Sequence, residues 1–276
     1  MPELPEVETI CRGLMPFLEG QTLTSVTLKR QNLRYPFSSS FVKNLENKTV
    51  QNLYRRAKYI LATFREDSSS LLIHLGMSGR FRIENLDNCQ PRLHDHVIFT
   101  THQYAIFYND PRRFGLMDWV ERDLISFHPL LKDLGYEPFD PLLTPEILYQ
   151  KLASRKQPVK QALLNQQLIV GIGNIYASES LWQSCIHPLR PANSLAQEEC
   201  NALLKAIRFV LDKAIQTGGS TLRDYRHPNG QLGNFQNHFK VYDQEGRSCP
   251  RTRCKGIIHK QNQGGRSTYF CQTCQK

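Results

Sequence analysis

The sequence predicts an α+β chain of several domains. An N-terminal helix with a β-sandwich comes first, then a helical domain, then a small cysteine-rich module. Three observations predict it. The apolar period is helical over residues 7–18, strand-like from about residue 22 to 120, and helical again after residue 144. Residues 128–145 carry four prolines and separate the second stretch from the third. Four of the eight cysteines crowd into residues 249–274.

Val7, Ile10, Leu14, Phe17 and Leu18 follow helical spacing, and Pro5 suits a first-turn position. Thr24, Val26 and Leu28 then alternate with other residues. Residues 59–64, 71–75, 97–100 and 104–108 are short runs rich in β-branched and aromatic residues, separated by polar turns. That texture predicts an all-β region arranged as a sandwich. Residues 128–145 read as a linker. Thr144 and Pro145 mark a helix start. Ser194-x-x-Gln197 has the form of a capping box, and Cys200, Leu203, Leu204, Ile207, Leu211, Ala214 and Ile215 continue one face to Gly218 and Gly219. Residues 218–238 show no period; a polar loop of that length in a compact protein is functional or mobile. The expected domains are 1–128, 129–238 and 239–276.

At 276 residues and 40% hydrophobic, the chain has enough apolar material for a large core and is not a disordered protein. The formal charge of +10 suggests a polyanionic partner. No run of 18 apolar residues occurs, so no membrane-spanning helix and no membrane partner is expected. The start MPELPEVET has no basic region followed by an apolar core, so no secretory signal is expected. The cysteines are therefore expected to be thiols or metal ligands. Cys11, Cys89, Cys185 and Cys200 are scattered and read as ordinary core or surface residues.

Cys249 and Cys254 form C-x4-C, and Cys271 and Cys274 form C-x2-C, with 16 residues between the pairs. Two such pairs can offer four thiolates to one tetrahedral ion. A module under about 40 residues is too small to stand on its core alone, so one structural Zn2+ is expected. The alternative is two unrelated pairs or a redox dithiol. Residues 240–276 carry eight Lys or Arg against two acids, or +6 of the total +10, which suits a surface for phosphates as well as a solvated tail. The segment between the pairs reads as a hairpin turning at Gly264-Gly265. Arg266 sits just past the turn, where an arginine can fork onto a phosphate.

Pro2 follows the initiator Met, and a small second residue lets that Met be removed. The chain would then begin with a secondary amine. An α-amino group titrates near 7.7–8.0 against about 10.4 for lysine, so it is usable as a nucleophile near neutral pH. A secondary amine attacking an aldehyde-level carbon gives an iminium ion, an electron sink that acidifies the neighbouring C–H. Glu3 and Glu6 stand beside it as candidate acids or bases. Chemistry alone reads Pro-Glu here more simply, as a helix start with first-turn acids.

MPELPEVET is similar to the start of the bacterial formamidopyrimidine-DNA glycosylases. The resemblance extends through RRAKY (55–59), HLGMSGR (74–80), HDH (94–96), NDPRRFG (109–115), GIGNIYASESL (171–181), GGSTLRDY (218–225) and GGRSTYFCQTCQK (264–276), in matching order and spacing. It implies a bifunctional DNA glycosylase and AP lyase of base-excision repair, with a helix–two-turns–helix element in the helical domain and a zinc-finger β-hairpin at the end. The implied partner is damaged double-stranded DNA and the implied substrates are oxidised purines, 8-oxoguanine and formamidopyrimidines. An oxidised-pyrimidine glycosylase on the same scaffold is the alternative. A catalytically silent zinc-finger DNA-binding protein is another, which would have no need of Pro2, Glu3 and Lys58 together. A monomer in the bacterial cytoplasm, associated with the nucleoid through DNA, is expected.

By this resemblance Pro2 is the nucleophile and Glu3 protonates the sugar as its ring opens. Lys58 matches the lysine assigned to the first elimination; without the match it reads as a surface strand residue. Arg266 matches the arginine of the second elimination. The damaged nucleotide must leave the duplex to reach an amine, which costs a few kcal/mol of stacking and pairing. Met77, Arg112 and Phe114 match the residues that fill the hole; read alone, Met77 and Phe114 would be core. His74, His94, Arg155, Lys160 and Asn174 match DNA-backbone contacts. Asn174 stands where glycines open a turn before a helix, a place suited to phosphate. Residues 218–238 match a lid over the flipped purine. Two departures are visible: C-x4-C where the family mostly has C-x2-C, and Asn165 where it often has Asp.

Overall fold

The computed structural model describes residues 1–66, 69–220 and 233–276, with the backbone alone at Arg122 and Asp123. Among these are six α-helices: α1 (Leu4–Leu18), α2 (Phe41–Leu45), α3 (Pro145–Ala153), α4 (Val159–Leu163), α5 (Asn174–Gln183) and α6 (Gln197–Gln216). The ten strands are β1 (Ser25–Leu28), β2 (Val50–Arg56), β3 (Tyr59–Phe64), β4 (Ser70–His74), β5 (Arg80–Asn85), β6 (Asp95–Thr100), β7 (Tyr104–Asn109), β8 (Leu116–Val120), β9 (Ile258–Gln263) and β10 (Arg266–Cys271). They form two compact units, residues 1–133 with 218–234, and residues 134–217 with 235–276.

In the first unit, α1 starts at the predicted place. Glu3 is its cap residue, and the Glu3 N–H donates to Glu6 Oε2 at 2.8 Å. Val7, Ile10, Leu14 and Leu18 are buried, and Phe17, at the edge of the stripe, meets Tyr104 edge-on at 5.0 Å. Two four-stranded antiparallel sheets follow, in the orders β1-β6-β7-β5 and β2-β3-β4-β8. Val26, Phe81, Val97, Phe99 and Ile106 of the first sheet share one core with Leu53, Ile60, Phe64, Leu71 and Ile73 of the second and with the apolar face of α1. This is the predicted sandwich, with each fully buried aliphatic side chain contributing roughly 1.5–3 kcal/mol. Strands β2, β5 and β8 lie outside the runs that the sequence marks. In β2 only Val50 and Leu53 are buried, and a bulge between Val50 and Asn52 breaks the alternation.

In the second unit, Thr144 caps α3: its Oγ1 accepts from the Ile147 N–H at 3.3 Å, and Pro145 opens the helix. The expected Ser194 cap is corrected. Helix α6 begins after Ala196, whose N–H donates to Glu199 Oε2 at 2.9 Å. Ser194 instead closes a short 3-10 turn, and its hydroxyl donates to the Pro191 carbonyl at 2.8 Å. Burial of Leu195 bends the chain once more before the helix can start. Cys200, Leu203, Leu204, Ile207, Leu211 and Ala214 are buried along α6 as predicted, with Ile215 at the margin. The boundary between the units at Asp133 falls inside the proline-rich segment. At the end of the chain β9 and β10 pair antiparallel, Gln263 opposite Arg266. Gly264 and Gly265 have φ of 59° and 74°, the left-handed pair that a two-residue hairpin of this hand requires. Of the expected lid at 218–238, residues 221–232 lie outside the described residues.

Candidate functional site

The start of α1 is buried although it is the start of the chain. Met1 is half exposed, Pro2 is buried, and Glu3 is 4% exposed. Glu6 is committed to backbone groups. Its Oε2 takes the Glu3 N–H, and its Oε1 takes the Ser220 N–H at 2.8 Å and the Ser220 hydroxyl at 3.0 Å. Gly219 has φ 75°, and a Cβ there would stand 3.1 Å from Glu6 Oε1. Both carboxyls beside Pro2 take part in the start of α1, since the Glu3 side chain accepts from the Glu6 N–H in a reciprocal capping box.

Lys58 lies at a hairpin tip. Arg56 pairs with Tyr59, so Ala57 and Lys58 alone make the turn between β2 and β3. Ala57 takes φ 54°, held by Arg55: its Nη1 donates to the Ala57 carbonyl at 3.1 Å and its Nε to Glu8 Oε2 at 2.8 Å. A lysine at a turn ordinarily stands in water. This one is 7% exposed, so reading it as a surface strand residue does not hold. His74 ends β4, its ring 4.9 Å from that of Tyr59. Its Nδ1 accepts the Gly76 N–H at 3.1 Å. Burial first, then the charges of Lys58 and Arg34, hold the imidazole down at about 4, so it is neutral near pH 7.

Two turns carry Met77, Arg112 and Phe114, and one buried carboxylate organises both. Asp110 Oδ1 accepts from the Ser78 hydroxyl at 2.5 Å, and Oδ2 accepts from the Gly115 N–H at 2.8 Å. Ser78 Oγ in turn accepts the Arg112 N–H at 3.1 Å. Gly76, at φ 63°, packs so closely that a Cβ would lie 2.3 Å from the Phe114 carbonyl carbon. Met77 and Phe114 are 36% and 46% exposed, so neither is a core residue. The Arg112 guanidinium lies 4.9 Å from the centre of the Phe114 ring. His94 is exposed at φ 70°, and its carbonyl accepts the Asp110 N–H at 3.1 Å.

The second unit places the remaining candidates differently from one another. Arg266 is exposed at the hairpin turn. Arg155 is half-buried, with Nε donating to the Lys151 carbonyl at 3.2 Å. Lys160 is 1% exposed. Its Nζ donates to Asn174 Oδ1 at 2.7 Å, Thr268 Oγ1 at 2.8 Å and the Ser267 carbonyl at 3.1 Å. Asn174 Nδ2 donates to the same Ser267 carbonyl at 2.9 Å. Lys160 and Asn174 thus fasten the starts of α4 and α5 to β10. Glu179 of α5 fastens the strand-less stretch before the hairpin, accepting the N–H groups of Lys240, Val241 and Tyr242 at 2.8–3.1 Å. Burial pushes its carboxyl up from the ordinary value, and those three donors oppose the rise.

The sulfurs of Cys249, Cys254, Cys271 and Cys274 all lie within 4.8 Å of one another. Cys249 and Cys274 are 3.8 Å apart and Cys254 and Cys271 3.7 Å apart. A tetrahedral ion with Zn–S of about 2.3 Å needs sulfur–sulfur distances of about 3.8 Å. The donors therefore fit zinc despite the longer C-x4-C loop. Cys11 and Cys200 are buried thiols, pushed up to about 12 and about 11 chiefly by burial.

With this geometry in place, comparison with known proteins identifies the lineage. Residues 1–117 match the formamidopyrimidine-DNA glycosylase N-terminal domain, residues 134–226 the formamidopyrimidine-DNA glycosylase H2TH domain, and residues 249–276 the zinc finger found in FPG and IleRS. The formamidopyrimidine-DNA glycosylase of Brucella canis is 45% identical over 293 residues, and that of Beijerinckia indica 46% over 289, each covering 100% of both chains. The chain belongs to the formamidopyrimidine-DNA glycosylase family. Among solved structures, a Lactococcus lactis Fpg mutant bound to DNA containing Fapy-dG is 34% identical with a TM-score of 0.90, covering 100% of both chains. The MutM (Fpg) protein of Thermus thermophilus is 38% identical with a TM-score of 0.88, covering 99% of this chain and 98% of that one. As a family member, the chain holds one structural zinc ion in its four-cysteine site. Among the described residues no helix is long and apolar enough to cross a membrane. Three residues with clear tasks here escaped the sequence reading: Asp110 and Ser78, which hold the two turns, and Thr268, which receives Lys160. Each is polar in a β-rich or glycine-rich context, and only its partners reveal its burial.

Proposed function

We propose that this chain is a DNA glycosylase and AP lyase that removes oxidised purines, 8-oxoguanine and formamidopyrimidines, from duplex DNA. The observation that carries this reading is the burial of Glu3 and Lys58 in the unit that also buries Pro2, just before its first helix, within a chain that belongs to this family over its whole length. Removal of Met1, which is half exposed, makes Pro2 a secondary amine. Its nitrogen attacks C1′ of the everted nucleotide. Glu3 protonates the ring oxygen as the sugar opens, and the base departs with the glycosidic electron pair. The resulting iminium withdraws electrons from C2′, so a C2′ proton can be lost and the 3′ phosphate eliminated. Lys58 is proposed to serve the first elimination and Arg266 the second, which expels the 5′ phosphate and leaves a one-nucleotide gap. Met77, Arg112 and Phe114 are proposed to occupy the vacated stack. His74, His94 and Arg155 are proposed as backbone contacts. Lys160 and Asn174 are proposed as backbone contacts too, held in place by their bonds to β10.

A panel of duplexes, each with one lesion, tests the reading. Met-processed, zinc-loaded protein is expected to cleave at 8-oxoguanine and formamidopyrimidine in preference to thymine glycol. A preference for thymine glycol would support the oxidised-pyrimidine reading. Absence of cleavage on every lesion and on an abasic site would support a silent DNA-binding protein.

A further inference from the structure

The four-cysteine site has an outer layer that its motif does not contain. Trp182, buried in the last turn of α5, donates its indole N–H to Cys249 Sγ at 3.4 Å. Arg251 lies inside the long C-x4-C loop. Its guanidinium covers the Trp182 ring at 4.5 Å from the centre and donates to the Trp182 carbonyl. The loop needs such an anchor: between Cys249 and Cys254 it is two residues longer than C-x2-C, and Arg253 is in the left-handed region at φ 65°. The Arg251 Nε is buried, and among the described residues it finds no acceptor.

We propose that Trp182 and Arg251 are positioning residues that hold Cys249 as a zinc ligand and set how firmly the ion is retained. Four thiolates outweigh the charge of the ion they bind, so the centre is anionic. A hydrogen bond to one sulfur and a cation beside the loop both stabilise that excess charge, as outer-shell partners of metal ligands do. Trp182 couples this to the helical part of the unit. Asn174 at the other end of α5 bonds to Ser267 of β10, so one helix grips the finger at the hairpin and at a metal ligand. If Trp182 only filled space among Val241, Ile258 and Tyr269, a phenylalanine would serve as well.

The test uses the full-length, zinc-loaded chain and two variants, Trp182→Phe and Arg251→Met. Zinc transfer to a colorimetric chelator is followed. Each variant is expected to start with one zinc and to lose it about tenfold faster or more, within the range for outer-shell substitutions. In the cobalt-substituted protein, loss of the N–H donor in Trp182→Phe is expected to move the thiolate-to-cobalt charge-transfer band to lower energy, which a packing role alone would not do. Release within roughly twofold of wild type, or faster release with an unmoved band, overturns the proposal. Where Trp182→Phe does not fold, Trp119→Phe leaves Trp182 as the sole indole of the otherwise unaltered site. Its emission must then change when zinc is withdrawn, and constant emission overturns the proposal.

Discussion

Lys58 and His74 show how burial, helped by a neighbouring charge, sets the state of a side chain. The lysine is enclosed at a turn, and its charge adds to burial in keeping His74 unprotonated. The folded value of about 4 lies below the ordinary histidine value of about 6.5. The unfolded chain therefore takes up the proton first. Stability from this group is unaffected above about pH 6.5 and is lost as pH falls from there towards about 4. At most the loss is on the order of 3 kcal/mol, less where water screens the ring. His74→Gln, which keeps an acceptor for the Gly76 N–H, is expected to shrink the fall in urea midpoint between about pH 7 and about pH 4.5. An equal fall in the variant and the wild type would place the acid sensitivity elsewhere. None of this was readable from HLGMSGR, because Lys58 lies on the β2–β3 turn, outside that string, and a turn lysine is ordinarily read as exposed.

At the scale of elements, the turn at 74–80 and the turn at 109–115 act as one piece. Gly76 has both a left-handed φ and no space for a Cβ against Phe114. Gly76→Ala is expected to cost at least about 2 kcal/mol and to displace Met77 and Phe114 together, and a urea titration checks it. A midpoint equal to wild type would mean that the turns move independently. Regular elements with clean periods were the readable part: α1, the core strands, the face of α6 and the glycine turn before Arg266. What escaped depends on distant partners. Ser194 looked like a cap, yet the turn after Pro191 claims its hydroxyl and Glu199 caps the helix instead. Lys160 matches a DNA-backbone contact by position, but the bonds its ammonium makes to Asn174, Ser267 and Thr268 were not readable. No local pattern distinguishes a lysine that faces solvent from one that closes a network across more than 100 residues of sequence.

Over the whole molecule, charge and metal belong to the same module. Residues 240–276 hold +6 of the +10, and the four cysteines that organise them are thiols within reach of one ion. Affinity for a duplex is therefore expected to fall steeply with salt, by about 0.9 in log–log slope per phosphate neutralised. Stripping zinc is expected to weaken binding and flatten that slope, because the finger's cations lose their fixed positions. Fluorescence anisotropy across a salt series measures both. A slope unchanged by zinc removal would show that the finger's charges do not meet phosphate. Family membership and the zinc site were readable from motifs whose spacing carries chemistry. The outer grip of Trp182 on Cys249 was not, since 67 residues of sequence separate the two.

The proposed chemistry turns on a nitrogen at Pro2 that forms a covalent bond to the sugar of a damaged nucleotide. Borohydride trapping on a duplex with one 8-oxoguanine opposite cytosine tests it directly, once mass spectrometry has confirmed loss of Met1. A reduced protein–DNA adduct whose peptide map ends at Pro2 is expected, and its loss in Pro2→Gly. No adduct from processed, zinc-loaded protein, on this duplex or on one with an abasic site, or an adduct that maps to Lys58, would contradict it.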